Sequence, residues 1–286
     1  MFMGIKITAA KKPRSRGTGL PGFGLTLGLS MTYMALLIFI PLSALILYSA
    51  RIGPREFWVL ISDERVMAAF KISFLSAFIA ALFNFIFGLV IAWVLTRYTF
   101  PGKRIIDALI DLPFAIPTAV AGIALAFIFS PNGIMGVFLK NFGLELAYSR
   151  KGIVLALVFI GLPFVVRTVQ PVIQELDKEL EEAAASLGAD FYQIFGRVIF
   201  PSLFPALLTG FALAFARGLG EYGSIIFISS NQPYHTEIVP LLIVKKLLQF
   251  DYRGASVIGV TMLVCAFVLL LLINFLEAFA ARGKSR

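Results

Sequence analysis

Residues 181–201 read EEAAASLGADFYQIFGRVIFP, and the character of this stretch separates the chain from an ordinary bundle of lipid-embedded helices. Glu181 to Leu187 are strong helix formers. Gly188 supplies a bend, and beyond it Phe191, Ile194, Phe195 and Val198 recur at helical spacing, which puts them on one face. Two short helices meeting at a glycine, acids on the first and aromatics on the second, form a knob with an apolar face of its own. Such a face usually meets another protein; the alternative is a loop that folds back on its own chain. Glu175, Asp177, Glu179, Glu181, Glu182 and Asp190 place six of the 16 acidic residues in this loop, 173–198.

Around the knob the chain is too apolar for a soluble domain. Of 286 residues 59% are hydrophobic and only 14% charged, with a mean hydropathy of +0.91, where soluble domains have about half apolar and about a quarter charged residues. The reading is an all-α polytopic membrane protein with six transmembrane helices, since a span needs about 20 apolar residues. The spans are expected at 25–47, 72–95, 112–129, 152–172, 202–220 and 256–275. The basic, Gly- and Pro-rich segment 1–24 precedes an apolar run too long for a signal-peptide core, so it reads as a tail, with a second tail at 282–286 and a six-helix domain at 25–281.

An even number of spans puts both tails on one side. Both are basic, with Lys6, Lys11, Lys12, Arg14 and Arg16 in one and Arg282, Lys284 and Arg286 in the other, so that side is expected to be cytoplasmic. The knob then faces the cytoplasm, and 51–71, 130–151 and 221–255 face outward. The net charge of +9 is scattered or held in the tails rather than gathered in a stripe, which argues against nucleic acid. Cys265 is the single cysteine and His235 the single histidine, too few for a disulfide, zinc or haem site within one chain.

Polar residues within spans mark buried pairs or a pathway. Arg217 and Glu221 are four apart and share a helix face; they read either as an ion pair that fixes the end of the fifth span, or as an anion-attracting group beside a backbone loosened by Gly218, Gly220 and Gly223. In the third span Pro113 and Pro117 each remove a backbone donor and bend the helix. Asp107 and Asp111 at its start read as caps. Arg167, near a span end, reads as a side chain snorkelling to the headgroups. The stretch 236–250, with Lys245 and Lys246 among apolar residues, reads as an interfacial helix.

There is no phosphate-binding glycine loop, no zinc-helix motif and no serine elbow. No catalytic residue or metal site is expected, and the energy for any work on a solute comes from another chain or from an ion gradient.

The knob resembles the loop of permease subunits of ATP-binding-cassette importers. Their pattern is EAA, three residues, Gly, nine residues, Ile, any residue, Leu, Pro. Glu182, Ala183, Ala184, Gly188 and Pro201 match at the right spacing; Val198 replaces the isoleucine and Phe200 the leucine, both keeping the position apolar. Within that family the chain is similar to the sulfate/thiosulfate permeases through DLPFAIPTAVAGIAL, LPFVVRTVQPVIQEL, GEYGSIIFISSN and QFDYRGAS, with the molybdate permeases close by. The resemblance implies a type I importer (MetI-like) fold, with Glu182, Ala183, Ala184, Gly188, Phe191, Phe195, Val198 and Pro201 docking on an ATPase subunit. Pro113, Pro117, Arg217, Gly220, Glu221 and Gly223 are the path candidates. It further implies a second permease, giving a heterodimer, an ATPase dimer that uses ATP and Mg, an extracytoplasmic sulfate- or thiosulfate-binding protein, no cofactor on this chain, and a bacterial inner membrane; a chloroplast envelope fits as well. The competing readings are a molybdate/tungstate permease, an ion-coupled secondary carrier using Asp111 or Glu221, and a purely structural membrane scaffold.

Overall fold

The computed structural model describes residues 23–282, without the side chains of 276–282. The basic residues assigned to the tails therefore lie outside the described residues, apart from the backbone of Arg282. All regular elements among the described residues are helical.

The chain divides after Tyr48 into two units. The first is carried by α1, Phe23–Ala50, 28 residues and long enough to span. A π-turn at Ala35–Phe39, closed by Ile40 N–H to Ala35 O, precedes Pro41. The wider turn absorbs the donor that proline lacks.

The second unit begins with α2, Pro54–Ile61, and α3, Glu64–Arg97, a 34-residue helix. Asp63 caps α3 by accepting from Arg65 N and Val66 N at 3.0 and 3.2 Å, and the chain leaves it at Tyr98, which is extended. The inward face of α3 is a stripe of small residues, Ala69, Ser73, Ser76, Ala77, Ala80, Ala81, Asn84, Gly88 and Ala92. Small residues let helices approach closely where lipid removes most of the hydrophobic drive and dispersion packing must hold the bundle. Against α3 pack α8, Arg150–Gln174, and α10, Phe191–Leu219. Val165 of α8 is the centre of the three-helix junction: a Cβ on Gly88 would lie 2.7 Å from its Cγ1, and one on Gly210 of α10 would lie 2.9 Å from its Cα.

The third span, expected as one helix bent at Pro113 and Pro117, is broken into separate helices. It consists of α4, Lys103–Ile110, the single turn α5, Leu112–Ala115, and α6, Thr118–Phe129. Ile116 and Pro117 between α5 and α6 have extended ψ values of 138° and 133°; at Ile116 this follows because proline pushes the preceding residue out of the helical region. α6 continues across Ser130–Gly133 into α7, Ile134–Lys140, at a bend of 46°. Among the described residues, five helices are long and apolar enough to cross a membrane, six if the bent α6–α7 pair forms one span.

The short α9, Lys178–Ser186, leads from α8 to α10. Beyond α10 come the single turn α11, Ile225–Ile228, then α12, Val239–Leu248, and α13, Tyr252–Arg282. α12 is not simply laid on lipid as an interfacial helix: Val239 and Leu242 are buried with Val66 and Ala69 of α3 and Ile258 of α13.

Candidate functional site

The knob is built as the local sequence demands. α9 ends in a tight turn in which Gly188 adopts φ +83°, a left-handed conformation that costs an L-residue about 1–2 kcal/mol. Asp190 then starts α10 with a capping box: its carboxylate accepts from Gln193 N at 2.8 Å while the Gln193 side chain accepts from Asp190 N at 3.2 Å. The turn leaves Leu187, Phe191 and Tyr192 strongly exposed at 89%, 66% and 83%. This apolar tip is flanked by the exposed Glu182, Ala183 and Ala185.

The expected single face on the second arm is divided. Phe191 is exposed, while Ile194 and Phe195 are half-buried against the core. Phe195 meets the edge of Trp93 with ring centroids 6.1 Å apart, and Val198 is also half-buried. Pro201 does not turn the chain. α10 runs through it, helped by a second π-turn at Phe195–Ile199 closed by Phe200 N–H to Phe195 O.

The last turn of α3 holds both arms of the knob. Arg97 Nη2 donates to Glu181 Oε1 on α9, and the Arg97 guanidinium carbon lies 5.1 Å from the centroid of the Trp93 ring, a cation–π arrangement. Trp93 in turn carries Phe195 of α10. Arg97 lies just beyond the expected end of the second span, and nothing local to residue 97 points to a partner 84 positions away.

The path candidates fall into two neighbourhoods. Arg217 Nη1 donates to Glu221 Oε2 at 2.6 Å, so the pair expected from i,i+4 spacing is present. Glu221 is buried, and its Oε1 also accepts from Ser224 N at 2.9 Å and Ser224 Oγ at 3.0 Å. The 221–224 turn lies directly on the start of α6. A Cβ on Gly223 would come within 2.2 Å of Thr118 Oγ1, and one on Gly122 within 2.3 Å of Ser224 O. Glycine at 223 thus serves close approach rather than backbone opening, whereas Gly220 has open space around it. Pro117, Glu221 and Gly223 are brought together by this junction. Pro113 stands apart, on α5, whose Phe114 meets Phe164 of α8 edge-on at 5.1 Å.

Arg167 does not snorkel to headgroups. It donates to Asp111 through Nε at 2.8 Å and Nη2 at 2.6 Å, and to Asp107 Oδ1 and Gln170 Oε1 through Nη1 at 2.7 and 2.6 Å. Asp107 and Asp111 are accordingly ion-pair partners, and neither caps a helix with its side chain. A second cluster, absent from the sequence reading, centres on Glu237. Its fully buried carboxylate accepts from Arg65 Nε and Nη2 at 2.7 and 2.8 Å and from Lys245 Nζ at 2.7 Å. Burial alone would push the Glu237 carboxyl up, but the hydrogen bonds from Arg65 and Lys245 outweigh it and leave it below the usual range. A separate open cleft of about 780 Å³ lies between α3 and α8, lined in part by Lys71, Leu75, Phe83, Lys151 and Tyr234 and by none of the path candidates.

No group of three or more His, Cys, Asp or Glu among the described residues is arranged to hold a metal ion. Residues 84–286 match the family described as "Binding-protein-dependent transport system inner membrane component". Among similar proteins, the "Sulfate transport system permease protein CysT" of Escherichia coli (strain K12) is 49% identical over 91% of this chain and 94% of its own length. The protein of the same description from Synechocystis sp. is 48% identical over 88% of each chain. The fold is similar to a chain of "a bacterial ABC transporter involved in the import of the acidic polysaccharide alginate", with a TM-score of 0.74, 20% identity and coverage of 90% of this chain and 96% of that one. It is also similar to a chain of the MetNI methionine ABC transporter in an inward-facing conformation, with a TM-score of 0.55, 18% identity and coverage of 82% and 100%.

Proposed function

The chain belongs to the binding-protein-dependent transport system inner membrane components, and from that premise we infer that it is the transmembrane permease subunit of an ATP-driven importer of sulfate. The knob carries the mechanism. Between two spans, Gly188 at φ +83° holds Leu187, Phe191 and Tyr192 away from the protein's own core, the geometry of a plug for a partner's groove. That partner is an ATPase subunit, which binds ATP and Mg and hydrolyses the nucleotide. Glu182, Ala183, Ala184 and Gly188 shape the seat, and Phe195 and Val198 anchor the knob from beneath.

In this reading two permeases, this one and a distinct second subunit, enclose the path, and an extracytoplasmic binding protein delivers the anion. Both termini and the knob are cytoplasmic. ATP binding closes the ATPase dimer, which favours the outward-open permease pair; hydrolysis returns the inward-open state. The ligand shifts the equilibrium by binding one conformation better than the other. The junction of Pro117, Glu221 and Gly223 joins the third and fifth spans where such a change must pass. A sulfate permease is supported by relatives of that description at 48–49% identity over most of the chain, and thiosulfate, a related divalent oxyanion, is included in the proposed range. The carrier reading loses its coupling groups, since Asp111 is engaged by Arg167 and Glu221 by Arg217 and Ser224.

The test is uptake of labelled sulfate by proteoliposomes holding the complete transporter. Uptake should require ATP and the binding protein, survive collapse of ion gradients and be competed by thiosulfate. Uptake that persists without ATP, or competition by molybdate stronger than by unlabelled sulfate, would overturn the assignment.

A further inference from the structure

The two arms of the knob are held by one turn of one helix. Arg97 and Trp93 are four residues apart on α3 and so share a face. Arg97 bonds Glu181 before the Gly188 bend, and Trp93 contacts Phe195 after it. The guanidinium over the Trp93 ring links the two contacts to each other. The Arg97 side chain is 15% exposed and that of Glu181 26%, so the pair is partly screened from solvent and less weakened by salt than a surface pair.

Gly188 is the one point between the arms whose backbone takes a conformation disfavoured for other residues. Without a clamp, a push on the exposed tip could be absorbed by a change in the angle between α9 and α10. With both arms tied to α3, that angle is held, and the tip must take the end of α3 with it. α3 packs along α8 and α10 at the small-residue stripe and the Val165 junction, so the displacement enters the bundle along a helix long enough to cross it. Arg97 Nε is buried without a hydrogen-bond partner.

We propose that Arg97 and Trp93 form a bracket through which the second span carries knob movement into the membrane, making Arg97 a positioning residue for coupling ATP hydrolysis to transport. The proposal rests on the permease reading above. It is tested in the complete transporter in proteoliposomes by measuring sulfate taken up per ATP hydrolysed, alongside the amount of ATPase that copurifies. Arg97→Gln and Glu181→Gln should each lower that ratio about fivefold at normal copurification, the low end of typical coupling energies, while Arg97→Lys, which keeps the charge and the ring contact, should stay within about twofold of wild type. If Arg97→Gln fails to reach the membrane, Glu181→Gln, isosteric and partly exposed, decides the matter. An unchanged ratio in Glu181→Gln, or a loss confined to the amount of assembled complex, overturns the bracket. Absence of ATP-dependent sulfate uptake by the wild-type complex would instead defeat the permease reading.

Discussion

The guanidinium of Arg167 grips the carboxylate of Asp111 as a fork, Nε to Oδ1 at 2.8 Å and Nη2 to Oδ2 at 2.6 Å. Its remaining amino group holds Asp107 at 2.7 Å, so a single cation on α8 ties down the broken third span on the side where α4 meets α5. A planar fork can do this; a lysine, as a point charge, can satisfy only part of it. Arg167→Met should lower the stability of the purified chain by about 1 kcal/mol, since the carboxylates are half-exposed, and Arg167→Lys by about half as much. Thermal unfolding in detergent measures both, and equal stability of all three proteins would remove the fork from the account.

The Val165 junction makes a prediction that distinguishes its two glycines. Gly88→Ala places a methyl against the Val165 side chain, whereas Gly210→Ala places one against the Val165 backbone. Each should cost about 1–3 kcal/mol by overpacking. Val165→Ala should recover part of the loss in Gly88→Ala and none in Gly210→Ala. Stabilities of the single and double variants form a mutant cycle that reads this directly.

At the knob, the left-handed turn makes Gly188 sensitive to the conformational preference of its replacement. Gly188→Val should cost about 1–2 kcal/mol locally and reduce copurification of the ATPase, while Gly188→Asn, which tolerates that conformation, should retain most of it. Leu187→Glu leaves the turn intact and charges the exposed tip. It should abolish copurification while leaving thermal stability unchanged, and retention of the ATPase by that variant would exclude the tip from the interface.

The Glu237 cluster sets an acid limit on the connection between α10 and α13. Its carboxyl lies below the ordinary value because Arg65 and Lys245 hold it charged despite burial. A depressed folded-state value means that the stabilisation is present above the unfolded value of about 4.3 and is lost as pH falls below it, through the folded value. Protection of the Val239–Leu248 amides from hydrogen exchange, taken relative to the intrinsic rate at each pH, should fall over that range in the wild-type protein. In Glu237→Gln protection should be lower already at neutral pH and show little of the acid dependence.

Much of this protein was legible locally. Hydropathy identifies spans because a helix in lipid must satisfy its own backbone, and the break at Ile116–Pro117 follows from proline sterics. The knob's helix, glycine and helix were equally plain, as was the Arg217–Glu221 pair, which helix geometry fixes at i,i+4. Other features looked local and were not. Asp107 and Asp111 read as caps and Arg167 as a headgroup anchor until packing placed them together, and Gly223 read as a hinge until Thr118 filled the space beside it. Phe195 looked like part of an outward face and instead rests on Trp93.

The sequence by itself determined the membrane class, most span positions, the knob and its bend, because each depends on residues within a few turns of one another. The tertiary structure alone decided that Arg97 reaches Glu181, that Arg65 and Lys245 meet at buried Glu237, and that Val165 sits between two glycines. Those contacts arise where helices distant in sequence pack side by side, and a repeat of 3.6 residues says which face a side chain takes but not which neighbour it will find there.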